Sequence, residues 1–147
     1  MNIFEQAAHV SERPYADITI GEQALLVKTI THEDIEAYAA LTGDVNPVHL
    51  LEDFAKHTMF KERIAHGMLI ASYISTVLGT QLPGKNTIYL SQQVSFRAPV
   101  KINDTIRIVA EVTEKRDDKK MITLTTNVYN QFEKVVVTGT AVVMKLT

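Results

Sequence analysis

The sequence contains no cysteine. That removes disulfides, thiolate nucleophiles and cysteine-based zinc sites together, and it fits a reducing compartment, so a cytoplasmic protein is expected. Long apolar runs are missing as well. Apolar residues make up 46% of the chain, yet no stretch approaches the ~20 uninterrupted apolar residues that a membrane-crossing helix needs. Charge of one sign is also lacking: 15 Lys and Arg lie scattered among 17 Asp and Glu, for a formal net charge of -2. There is then no broad basic field for nucleic acid or an anionic membrane, and any phosphate-bearing ligand must be held by local groups. The opening MNIFEQAAHVSERPYADITIG has acidic residues and no basic flank leading into an apolar run, so it does not read as a secretory signal and is expected to stay on the chain. No repeat, low-complexity tract or Gly/Ser-rich linker marks a boundary. Residues 1–147 are read as one domain, with about the first 20 as an extension of unassigned role. A domain of this size buries roughly two-thirds of the surface its unfolded chain exposes and needs no covalent staple.

What is present is a hydrophobic period that changes along the chain. Residues 20–30 read as a first strand. Thr31, followed by Glu33 and Asp34, has the form of an N-cap with acids in the first helical turn. Ile35, Tyr38 and Ala39 share one helical face, and Gly43 should end that helix. LLEDFAKHTMF can form another short helix after Pro47. The stretch GMLIASYISTVLG, from about Gly67 to Gly79, is apolar on most of its circumference, with Ser72, Ser75 and Thr76 as its polar side chains. Such a helix is expected to be wrapped by other structure. From residue 86 onward the pattern alternates: Ile88, Leu90, Val94 and Phe96 share one face, and Ile106, Ile108, Ala110 and Val112 share another. Ile122, Leu124 and Val128 repeat it after the turn RDDKK, and Val135, Val137 and Val143 after NQFEK, which predicts two hairpins. Four late strands, one early strand and one enclosed apolar helix predict an α+β arrangement, an antiparallel sheet curled round a helix. The hot-dog fold satisfies that description. A lone unit of this kind leaves sheet edges and one face seeking cover, so a homodimer with side-by-side sheets is expected.

Chemistry is concentrated in YAALTGDVNPVHLLEDFA, residues 38–55. The chain leaves a helix at Gly43, is fixed at Pro47, and presents Asp44, Asn46 and His49 on an irregular stretch. Taken alone, Asp44 and Asn46 can be turn builders and His49 a helix cap. Taken as chemistry, a carboxylate and an imidazole within reach of one water suit acid–base catalysis. Gly67 opens the apolar helix, where a free backbone N–H beside the positive end of the dipole suits a developing oxyanion, although a glycine there can equally ease close packing. Ser72 and Ser75 can each bond a carbonyl one turn back. His66 reads as structural, bonded to a neighbouring loop. His49, His57 and His66 fall in one segment, but their spacing matches no HExxH pattern and no metal site is expected. Lys61, Arg63, Lys85, Arg97 and Lys101 read as solvated charges available to phosphates.

The segment 38–55 resembles the hydratase-2 motif of the MaoC-like dehydratases, the (R)-specific enoyl-CoA hydratases: aromatic, spacer, aliphatic, small residue, Gly-Asp-x-Asn-Pro, aliphatic, His, five residues, small residue. The likeness continues through RIAHGMLIASYISTVLG, LPGKNTIYLSQQVSFRAPVKINDTI and VVTGTAVV, nearly everything after residue 30. The resemblance implies that Asp44 and His49 share a catalytic water, that the Gly67 N–H faces the thioester oxygen, that Ser75 helps hold the water and that Asn46 supports the loop. It further implies an acyl-CoA thioester substrate, an (R)-3-hydroxyacyl product for polyester or fatty-acid metabolism, no cofactor beyond the coenzyme A of the substrate, and a dimer. Three rivals remain: a dehydratase acting on 3-hydroxyacyl groups of acyl carrier protein, a hot-dog thioesterase, and a non-catalytic acyl-binding module. The thioesterase reading wants a carboxylate on or near the central helix, and GMLIASYISTVLG has none. The binding module has no use for a desolvated carboxylate beside an imidazole.

Overall fold

Elements begin and end where the sequence supplies the chemistry to start or stop them. The computed structural model describes residues 1–147. In chain order it places helix α1 (Ile3–Ala8), a 3-10 turn (Tyr15–Asp17), strand β1 (Gln23–Thr29), helices α2 (His32–Thr42), α3 (Pro47–Leu50), α4 (Glu52–Ala55) and α5 (Gly67–Thr80), then strands β2 (Thr87–Phe96), β3 (Thr105–Arg116), β4 (Met121–Tyr129) and β5 (Val135–Lys145). A reciprocal capping box opens α2: the Asp34 N–H donates to Thr31 Oγ1 at 3.2 Å and the Thr31 N–H donates to the Asp34 carboxylate at 2.9 Å. Gly43 closes it in the left-handed region, φ 81°, which costs glycine nothing. The single helix expected after Pro47 forms as two, because Leu51 between them is extended.

The sheet is antiparallel throughout, in the order β1-β3-β4-β5-β2, so β1 and β2 are its edges. Ile106, Ile108, Ala110 and Val112 of β3 and Ile122, Leu124 and Val128 of β4 are buried, as their alternation requires. They share one core with Leu69, Ile70, Ile74, Val77 and Leu78 of α5. This is the hot-dog arrangement of a curved sheet against a helix.

Three expectations need correction. Ile88 and Val94 do not share a face, because the register of β2 against β5 shifts between Tyr89 and Ser91. Leu90 is the extra residue, and one extra residue reverses the parity of everything beyond it. Ile88 pairs with Met144, whereas Val94 and Phe96 pair with Gly139 and Val137 on the buried alternation of β5. A second shift opposite Val128 and Tyr129 leaves Val135 exposed while Val136 and Val137 are both buried. Finally, α5 is not wrapped all round. The sheet covers one side, and Met68, Ser72, Ser75, Thr76 and Gly79 remain exposed.

The unassigned amino-terminal stretch is tied down by long-range polar contacts. Lys145 ends the inward face of β5 with a fully buried side chain, and its ammonium pairs with Glu12 Oε1 at 3.1 Å and also donates to the Pro83 and Lys85 carbonyls. Glu12 accepts from the Thr147 hydroxyl as well, at 2.8 Å. Tyr15 donates to Asp117 Oδ1 at 2.6 Å, with the Lys115 ammonium 4.1 Å above its ring. Burial and Asp117 push the Tyr15 hydroxyl up to about 12, so it remains a donor. No helix is long and apolar enough to cross a membrane.

Gly139 of β5 pairs with Val94 of β2. A Cβ added there would fall inside the contact radius of the Gln93 carbonyl oxygen, and that oxygen belongs to backbone held in the ladder. Gly139→Ala should therefore destabilise the fold by about 1–3 kcal/mol, the usual scale of overpacking, read as a lowered thermal midpoint. An unchanged midpoint would mean that the two strands separate more freely than their pairing implies.

Candidate active site

The loop between α2 and α3 is built from short-range bonds. The Asp44 N–H donates to Thr42 Oγ1 at 3.2 Å, Asp44 Oδ1 accepts from the Asn46 N–H at 3.3 Å, and Asn46 Oδ1 accepts from the Val48 N–H at 3.2 Å. Asn46 is thus the N-cap of α3, followed by Pro47 in the first turn. Its amide oxygen is spent on the loop. His49 follows on α3, half-buried, with Nδ1 2.7 Å from the Ile64 carbonyl oxygen. A carbonyl can only accept, so Nδ1 carries the hydrogen and Nε2 is left with its lone pair.

His66, immediately before α5, is 2% exposed. Its Nε2 lies 2.9 Å from the backbone oxygen of Asp44. Its ring stacks on that of His49, with centroids 3.8 Å apart and planes 28° apart, and it leans against Tyr38 at 4.9 Å. The bond to the Asp44 loop is the one read for His66 from the sequence, and the stacking on His49 is added to it. The signal available there was adjacency to Gly67, since whatever precedes the first residue of α5 must stand beside the same cleft.

A cleft of about 580 Å³ opens at this point, lined by Asp44, His49, His66 and Gly67 at its polar end and by residues such as Phe60, Ile70 and Phe96 along its apolar walls. Gly67 is the first residue of α5, and its N–H makes no hydrogen bond within the chain. A Cβ on Gly67 would stand 2.8 Å from Cδ1 and Cε1 of Phe96. Gly67 therefore permits close packing, and its N–H is free at the positive end of a helix. Ser75 is not brought to this cleft. It is exposed on α5 and lines a separate groove of about 350 Å³ against β2, beside Tyr89 and Gln92. Ser72 donates to the Met68 carbonyl at 2.7 Å, the helix back-bond that its position allows. Arg97 lines the cleft without a carboxylate partner, whereas Lys101 is paired with Glu62 at 3.4 Å.

Burial holds the His49 imidazole below its ordinary range, and the neighbouring His66 adds to that; the Ile64 carbonyl and the Asp44 carboxylate pull the other way without reversing it. The result is a neutral imidazole with a free Nε2 beside a carboxylate, which can take a proton from water at neutral pH. Asp44, His49 and His66 bring one ligand atom apiece within 4.8 Å of one another, a grouping that a metal ion could use. One nitrogen of each ring bonds a carbonyl, which leaves the other nitrogen of each ring free.

The family model described as MaoC like domain matches residues 17–132. The (R)-specific enoyl-CoA hydratase of Rhodospirillum rubrum is 48% identical over 130 residues, 88% of this chain and 90% of that protein. The R-hydratase of Pseudomonas aeruginosa in its unliganded form superposes with a TM-score of 0.87 at 44% identity, covering 91% of this chain and 86% of that one. The (R)-hydratase of Aeromonas caviae, involved in PHA biosynthesis, gives 0.85 at 45% identity, covering 87% and 97%.

The surroundings of His49 lead to a solution test. Its ring should titrate below the ordinary histidine value of about 6.5, followed by histidine NMR. Asp44→Asn should lower it further, because the carboxylate that favours the imidazolium is gone. Titration at or above the ordinary value in the native protein would show a wetter cleft than the packing implies.

Proposed function

Because this chain belongs to the family of MaoC-like domains, we propose that Asp44 and His49 are the acid–base pair with which it adds water to a 2-enoyl thioester. The enzyme is a hydro-lyase, an (R)-specific enoyl-CoA hydratase: water adds reversibly across trans-2-enoyl-CoA to give (R)-3-hydroxyacyl-CoA. The hand of the product comes from the relatives named above. The observation that carries the role of the pair is the meeting, at one end of an apolar cleft, of a neutral imidazole with a free Nε2, a carboxylate and an unpaired N–H.

The chemistry needs a proton removed from water as its oxygen bonds to C3, and a proton delivered to C2. Two groups holding one water can do both, in either order. Negative charge then develops on the thioester oxygen. The Gly67 N–H, at the start of a fourteen-residue apolar helix, faces that charge with a fixed dipole where water is scarce. Asn46 supports the loop. For Ser75 as a holder of the water, the proposal rests on family resemblance alone, since its hydroxyl opens into the groove beside β2. No metal or cofactor is called for, because coenzyme A is part of the substrate, and a cytoplasmic setting belongs to the same reading.

The enzyme acts as a homodimer in this proposal. The β2 edge carries Ile88, Leu90 and Phe96 at 38%, 45% and 52% exposure, and the bare side of α5 lies next to it across the Ser75 groove. Edge-to-edge pairing at β2 would join two five-stranded sheets and cover both. Light scattering should return the mass of two chains, and Leu90→Lys should lower it towards one. A monomer at micromolar concentration would overturn this part.

The activity itself is read as loss of conjugated-thioester absorbance with crotonyl-CoA, coupled to a dehydrogenase that accepts only the (R)-3-hydroxy product. Asp44→Asn and His49→Ala should each lower turnover by ~100-fold or more, the usual scale for losing a general acid or base, with the fold intact by circular dichroism. Near-normal turnover in either variant would remove that residue from the mechanism. Hydration seen only when the acyl chain is carried on acyl carrier protein would replace coenzyme A as the carrier.

A further inference from the structure

We infer that His66 is a positioning residue for hydration, one side chain that tethers the backbone of Asp44 through Nε2 and carries the ring of His49 on its face. The inference rests on the assignment of Asp44 and His49 as the acid–base pair. Every other hydrogen bond that holds residues 43–46 is local, reaching no further than the end of α2 or the start of α3. The bond from His66 to the Asp44 carbonyl spans 22 positions and fixes the loop to the helix that carries Gly67. Without it, hydrogen bonds join the loop to α2 and α3 alone, and none joins it to α5.

The details do not fit a residue kept for packing or for capping. His66 precedes α5, yet its side chain caps no N–H of that helix. Because Nε2 meets a carbonyl, it bears the hydrogen, and Nδ1 is left bare, buried and without a partner. An unpaired buried nitrogen is unfavourable, so a leucine or phenylalanine would serve packing better. What an apolar side chain would lose is the donor to Asp44. The ring, meanwhile, covers one face of His49 while Ile64 holds its edge, so the direction of the free Nε2 is fixed by two contacts. The other charged or titratable groups around the pair are Asp44 itself, Tyr38 against the His66 ring, Arg63, whose Nε donates to the His49 carbonyl at 2.7 Å, and Arg97 on the cleft wall.

Two substitutions separate the tether from the ring. His66→Phe keeps a ring face and loses the donor; kcat should fall by roughly 10- to 100-fold, the scale of a small misplacement of a catalytic group, with KM near the native value and the acid limb of kcat/KM moved up less than in the glutamine variant, because the charge contribution of His66 goes while its ring face stays. His66→Gln keeps an N–H at the same reach and loses the ring; kcat should recover most of that loss, while the acid limb moves up in pH as water reaches His49. His66→Ala should show both effects, and if it does not fold, the Phe and Gln variants still decide. Native kcat in both Phe and Gln variants overturns the inference, as does an equal loss in both that follows thermal stability with the acid limb unmoved. Activity that survives in Asp44→Asn or His49→Ala would instead overturn the pair on which the inference rests.

Discussion

A carbonyl oxygen that accepts from one nitrogen of an imidazole decides what the other nitrogen can do, and the chemistry of this chain depends on one such bond, from His49 to Ile64. The oxygen is itself held in place. Ile64 bridges to Lys101 in the connection between β2 and β3, the Ala65 N–H donates to the Val100 oxygen at 2.7 Å, and the Ile64 N–H returns to the Val48 oxygen on α3. The tautomer of His49 is therefore set by a carbonyl whose segment is pinned between α3 and the connection from β2 to β3. With Nδ1 committed, burial can lower the affinity of the ring for a second proton without leaving a polar edge unsatisfied.

The sheet also shapes the wall opposite. The extra residue at Leu90 lets β2 present Ile88 to one face and Phe96 to the other. Phe96 then reaches over Gly67, where only hydrogen fits beneath its ring. The same bulge that breaks the expected alternation thus brings an aromatic wall to the first turn of α5. A helix end, a missing side chain and a kinked edge strand jointly leave one N–H bare in apolar surroundings.

Legibility in the sequence follows the range of the interactions involved. Thr31, Asp34 and Gly43 act within a few residues of themselves, so the limits of α2 are readable from type and spacing. β3 and β4 alternate cleanly through their buried residues, and those faces are legible for the same reason. In β2 and β5 single extra residues reverse parity, and no local pattern announces them. Asp44, Asn46 and His49 stand out because a dense motif carries them, and Gly67 because it starts the apolar helix. His66 is legible as a residue bonded to a neighbouring loop, whereas its stacking on His49 depends on how stretches far apart in the chain come together. The placement of Ser75 depends on which side of α5 the cleft opens, and helical spacing alone cannot say which.

The junction of Glu12 with Lys145 has a consequence for how the molecule assembles. These residues are 133 positions apart, so their pairing closes nearly the whole chain into a loop, and the entropy of that closure must be met before the contact gives anything back. Hairpins β3–β4 and β4–β5 close over a few residues and can form first. The clasp forms late and opens early, and as it opens it carries Tyr15 and Ile18 away from the end of the core. Proteolysis from the native state should accordingly start in this amino-terminal strap, while the strands that hold Ile64 and Phe96 are still paired.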